Sequence, residues 1–142
     1  VGNFTAKCTG MFFIALVVTG CLGKAALYDQ VAYEKAINLK VDALLLMDKA
    51  TQPYDSCKIG ILAFKREFNV AWEYVKGLPD YSEVVKQYDL IGDSQKNLLY
   101  GFLARWESKG QLNSEFIKSA KGIVSDAFDM VIGLESGLKK GK

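Results

Sequence analysis

In "YDQVAYEKAINLKVDALLLMDKA", residues 28–50, alanines and leucines recur at intervals of three and four. Tyr28, Ala32, Ala36, Leu39, Ala43, Leu46 and Ala50, with Ala25 one turn earlier, share one side of a helix at about 100° per residue. The pattern predicts a helix over residues 24–52 with an alanine seam that lets neighbouring helices approach closely. A second apolar group, Leu27, Ile37, Val41, Leu44 and Leu45, falls on the opposite side. A helix apolar on two faces is a central one, covered on both. The expectation is that shorter third and fourth helices fold back over the outer group. Left bare, Leu27, Val41, Leu44 and Leu45 would form a stripe for docking a partner.

Four more helices follow by the same periodicity. Thr51-Gln52-Pro53-Tyr54-Asp55 ends the first and opens the second, with Asp55 as its expected N-cap. Residues 56–76 carry the stripe Cys57, Ile61, Phe64, Phe68, Ala71, Trp72 and Val75, and Gly77 and Pro79 stop the helix. A short helix over 82–91 presents Val84, Val85, Tyr88 and Ile91, and Gly92-Asp93-Ser94 breaks it. "NLLYGFLARWESKG" is the fourth, with Leu99, Phe102, Leu103 and Trp106 on one face and Gly110 as its stop. Gly101 inside it costs about 1 kcal/mol relative to alanine, which points to a close helix contact there. Asn113 caps the last helix, 114–135, with the stripe Ile117, Ala120, Val124, Ala127, Phe128 and Val131. No segment alternates as a strand does. The fold class is all-α: a single-domain bundle of about five helices, three long and two shorter.

Composition removes several function classes. The chain has 142 residues, half of them hydrophobic, and its net charge of +2 comes from interspersed signs, so it offers no basic footprint for nucleic acid. The basic tail Lys139-Lys140-Gly141-Lys142 is a solvated terminus. Histidine is absent, and with it the commonest general base and metal ligand. Cys8, Cys21 and Cys57 form no CxxC pair.

The N-terminal region carries a different signal. "MFFIALVVTGCLGK", residues 11–24, opens with eight apolar residues, too few for a span of about 20 but right for a secretory signal. Lys7 supplies an upstream positive charge, and Val1 or Met11 would serve as the start. Val18-Thr19-Gly20-Cys21 resembles the lipobox of bacterial lipoproteins: an aliphatic residue, two small ones, and a cysteine whose thiol takes the lipid. The expected organisation is a signal over residues 1–20 and a helical domain over 21–142, anchored through Cys21. Cys57 is then the remaining thiol, expected as a small apolar residue on its stripe. Leu22, in place of an aspartate, favours the outer membrane, facing the periplasm, in a two-membrane bacterium.

"YEKAINLKVDALLLMDKA", "NLLYGFLARWESKG" and "AFDMVIGLESG" resemble segments of a family of small, all-helical bacterial lipoproteins over most of the mature chain. The resemblance implies the anchor and the helices and carries over no catalytic residue.

No GxSxG, HExxH, GxGxxG or P-loop occurs. The Glu-x-x-His of di-metal bundles is impossible without histidine, so no catalytic residue, metal or cofactor is expected. Asp42, Asp48, Glu67 and Glu73 sit among lysines and arginines as a solvated face with weak ion pairs. Tryptophans 72 and 106 lie on apolar stripes and are expected in the core. Tyr81, Tyr88 and Tyr100 lie off the cleanest stripes and are the candidates for an exposed contact. The expected role is a non-catalytic, membrane-anchored interaction or accessory module of the cell envelope, with a monomeric domain and a protein partner. The alternative is a carrier holding a small apolar ligand in a groove between helices.

Overall fold

The computed structural model describes residues 27–140, with side chains to residue 137. These residues form five α-helices: α1 (Gln30–Asp48), α2 (Tyr54–Lys76), α3 (Ser82–Ile91), α4 (Leu99–Lys109) and α5 (Ser114–Lys140), with a 3-10 turn, Lys49–Thr51, after α1. No strand occurs among the described residues. The domain is an all-helical bundle, three helices long and two short. The expected signal, Cys21 and Ala25 lie outside the described residues.

Helix ends follow local chemistry. The first helix begins at Gln30, later than the periodicity suggested, because Asp29 takes an extended backbone and its carboxylate accepts the Ala32 N–H at 2.8 Å. Pro53 occupies the N-cap position of α2, so Asp55 lies in the first helical turn, where its charge meets the positive end of the helix dipole. Asn113 caps α5 as expected, its side-chain oxygen accepting the Phe116 N–H at 2.8 Å. Gly110 ends α4 at φ +76°, a conformation glycine adopts without a Cβ clash.

The two ends of the bundle fix its topology. At one end the Tyr54 N–H donates to the Gly110 carbonyl and the Leu112 N–H to the Ala50 carbonyl, both at 2.8 Å. The Trp106 indole N–H donates to the Gln52 carbonyl at 3.0 Å. These bonds stitch the α1–α2 turn to the α4–α5 turn. At the other end the Tyr74 hydroxyl donates to Asp29, which joins the end of α2 to the start of α1. Helices α1, α2 and α5 are therefore long struts, α1 running opposite to α2 and α5. The remaining strut is α3 followed by α4, whose 10 and 11 residues together match the 23 of α2.

Packing is dense along the predicted stripes. Ala32, Ala36, Ala43 and Ala50 are fully buried, and α1 lies against α2 and α5 through them. The space between struts is filled by Phe68, Tyr88, Trp106 and Phe128, all buried. Phe68 has ring centroids of Tyr88 and Tyr100 at 5.4 and 5.2 Å, and Tyr54 meets Trp106 edge-on at 5.6 Å. Trp72 is half-buried rather than fully inside, with Lys76 over its ring at 4.3 Å.

One expectation fails. Helices α3 and α4 do not cover the outer face of α1; they are consumed end to end as one strut, packed on α2 and α5 and on α2, respectively. The first helix is a corner of the bundle instead of its centre. Leu27, Val41 and Leu45 are 68, 51 and 58 % exposed, Ile37 is half-buried, and Leu44 tucks partly against the core.

Candidate functional site

Val41 and Leu45 on α1 are exposed, and α2 exposes Ile59, Leu62 and Val70 in its own right. Between the two helices runs a furrow. A cleft of about 440 Å³ is lined by Leu45, Leu46, Gly60, Ala63 and Phe64, and a second of about 320 Å³ by Leu39, Val41 and Ala71. Asp42 and Glu67 border both, so the clefts form one seam. Gly60 and Ala63 keep it open, since no atom lies within 4 Å of where a Gly60 side chain would begin. Lys35, Lys49 and Arg66 complete a rim of mixed charge. An apolar floor with such a rim suits a protein surface better than a charged small molecule.

The tyrosines are not where the sequence placed them. Tyr81 and Tyr88 are buried, and Tyr100 is half-buried with its hydroxyl enclosed. For Tyr81 and Tyr88 the reason is the double packing of α3 against α2 and α5, which buries two sides of a ten-residue helix; Tyr100, on α4, packs its ring on Phe68 of α2. Tyr88 sits one turn after Val84 and packs on Phe68. These three tyrosines are thus interior groups, not an exposed contact.

Tyr81 leads to a polar cluster the sequence reading missed. Glu135 is completely buried near the end of α5. The Tyr81 hydroxyl lies 3.1 Å from Glu135 Oε2 and 2.9 Å from the Leu27 carbonyl oxygen. Glu135 Oε1 and the Tyr88 hydroxyl are buried without a partner among the described residues. Burial pushes the Glu135 carboxyl up to about 7, the nearby Asp29 carboxylate adds to the rise, and the hydrogen bond from Tyr81 opposes it. Burial, then the Glu135 charge, pushes the Tyr81 and Tyr88 phenols well above their usual range. The signal was present: Glu135 falls four residues after Val131 and seven after Phe128, on the core stripe of α5.

A smaller cleft of about 300 Å³ lies between α4 and α5, lined by Leu98, Phe102, Phe116, Ala120 and Ile123, with Arg105 stacked over the Phe116 ring at 4.3 Å. Cys57 is half-buried, its thiol 3.7 Å from the Gln52 side-chain oxygen. Asp48, Glu67 and Glu73 form ion pairs with Lys121, Arg66 and Lys76; the Lys121–Asp48 pair and a further one, Lys40–Asp129, join α1 to α5. Among the described residues no cluster of acidic or cysteine side chains could hold a metal, and no helix is long and apolar enough to cross a membrane. Neither a family profile, a characterised protein nor a solved structure matches this chain.

Proposed function

We propose that this chain is a lipid-anchored, non-catalytic interaction module of the bacterial envelope, tethered through Cys21 and presenting the α1–α2 face to a protein partner. The observation that carries the reading is the exposure of Val41 and Leu45 on α1 beside the open furrow between α1 and α2. Exposed apolar surface of this kind, rimmed by charge, marks interaction sites. The anchor rests on Val18-Thr19-Gly20-Cys21 behind an apolar run. From Cys21 to the Asp29 cap is eight residues, a reach of at most about 28 Å. The bundle therefore works close to the membrane, facing the periplasm from an outer membrane where there are two.

Metabolic labelling with a fatty-acid analogue tests the anchor. The wild-type protein is expected to take the label and to sediment with membranes. Cys21→Ser is expected to lose both, and label retained in that variant would contradict the anchor. A photo-crosslinking residue at Leu45 tests the face in the same cells. It should give a discrete adduct that the same residue at Ala104, exposed on α4, does not. Equal adducts from both positions would contradict it. The second reading, a carrier of a small apolar ligand, has the α4–α5 cleft in its favour, although about 300 Å³ is the lower edge of the range for ligand pockets.

A further inference from the structure

A phenol has one proton to give, and a main-chain carbonyl oxygen can only accept. The Tyr81 oxygen is within hydrogen-bond distance of two acceptors at once, the Leu27 carbonyl at 2.9 Å and Glu135 Oε2 at 3.1 Å. Both contacts are satisfied only if Tyr81 donates to Leu27 and Glu135, as the neutral acid, donates to Tyr81. An ionised Glu135 would compete with Leu27 for that single proton. It would win, because a hydrogen bond to a carboxylate is roughly twice as strong as one to a neutral acceptor.

We propose that Glu135, Tyr81 and the Leu27 carbonyl form a proton-gated latch that holds the segment entering α1 against the end of the bundle. With Glu135 neutral, the relay runs from its O–H to the Tyr81 oxygen and from the Tyr81 O–H to Leu27. When Glu135 loses its proton to solvent, the Tyr81 O–H turns to the carboxylate and the Leu27 carbonyl is left without its donor. Leu27 lies two residues before the Asp29 cap, so its release loosens the entry to α1 while Asp29 keeps its own bonds to Ala32 and Tyr74.

The surroundings of Glu135 favour the neutral form. The titratable groups facing it among the described residues are Tyr81, Tyr88 from α3, Asp29 at the cap of α1 and Tyr74 from α2. All are neutral or acidic. Tyr74 is itself committed to Asp29, its hydroxyl 3.1 Å from Oδ2. With the Glu135 carboxyl held near 7 by burial, the latch opens across neutrality. The sign follows from linkage. The native state keeps a proton that the unfolded chain releases at ordinary carboxylate pH, so the contribution to stability is full in acid and is lost as pH rises through about 7.

Hydrogen exchange on the full chain tests the latch, comparing amides of residues 30–34 at about pH 5.5 and about pH 8.5 after correction for intrinsic rates. Protection in the wild-type protein is expected to fall about tenfold at the higher pH, which corresponds to about 1.4 kcal/mol. In Glu135→Gln the side-chain amide donates to Tyr81 at every pH, so protection is expected to be the same at both. In Tyr81→Phe it is expected to be low at both. An identical pH response in the wild type and Glu135→Gln would overturn the latch. Carbon-detected titration of the Glu135 carboxyl in the wild type needs no variant. A midpoint near neutrality supports the proposal, and one near the ordinary glutamate value of about 4.3 overturns it.

Discussion

Phe68→Ala is expected to cost about 3–5 kcal/mol of folding stability, measured by chemical denaturation of the folded domain. Phe68 is the point where struts meet: it is 1 % exposed, lies between the rings of Tyr88 and Tyr100, and touches the chain at Gly92. Its removal leaves a cavity bounded by α2 on one side and by the joint between α3 and α4 on the other. Two short helices that depend on packing for their helicity have little means of collapsing into that space in register. Phe128→Ala, at a fully buried position on α5, belongs in the same range. A loss below about 1 kcal/mol at either site would place that stripe on the wrong face.

Gly101→Ala is expected to destabilise by several kcal/mol, against the sign that helix propensity alone would give. In an open helix the change gains about 1 kcal/mol. At Gly101, however, an added Cβ runs into the backbone carbonyl of Lys96, with the carbonyl carbon at 3.0 Å and the Ser94 carbonyl oxygen at 3.4 Å. Backbone of the turn between α3 and α4 would have to move. The close approach expected at Gly101 is real, but its partner is this preceding turn and not another helix. Gly60→Ala is the matched control. It lies within α2 with nothing near its Cβ position and is expected to stabilise by about 0.5–1 kcal/mol. Thermal melts of the two variants should move in opposite directions.

The inward half of the architecture was written in periodicity. Ala32 through Ala50 on α1 and the turn after it, Ile61 to Val75 on α2, and Leu99 to Trp106 on α4 supply the core nearly residue for residue. Spacing of three and four specifies which residues share a face, and apolar side chains decide that the face turns inward. Periodicity does not specify which helix lies across from which. The break at Gly92-Asp93-Ser94 was visible, and Asp93 does turn the chain by accepting the Gln95 N–H at 2.8 Å. That the two short helices would line up as a single strut depends on their summed length against α2, a tertiary matter. Coverage of α1 was therefore the wrong inference from a correct observation. The tyrosines failed for a related reason: a ring with a hydroxyl suits a surface and an interior equally well, and only the neighbours of α3 and α4 decide between them. Glu135 was legible as a charge on a core stripe, but its partner Tyr81 is 54 residues away in sequence, and the Leu27 carbonyl that Tyr81 also meets is a further 54 residues away.

The outer face of α1 is the exposed surface of a corner helix and not a covered part of the core. The melting temperature of the Val41→Ser/Leu45→Ser double variant tests it most directly. Exposed surface positions of this kind change stability by about 0.5 kcal/mol or less each, so the variant should melt within a few degrees of the wild type and keep its helical circular dichroism. A loss of several kcal/mol, the cost of stripping two buried aliphatic side chains, would return the face of α1 to the core.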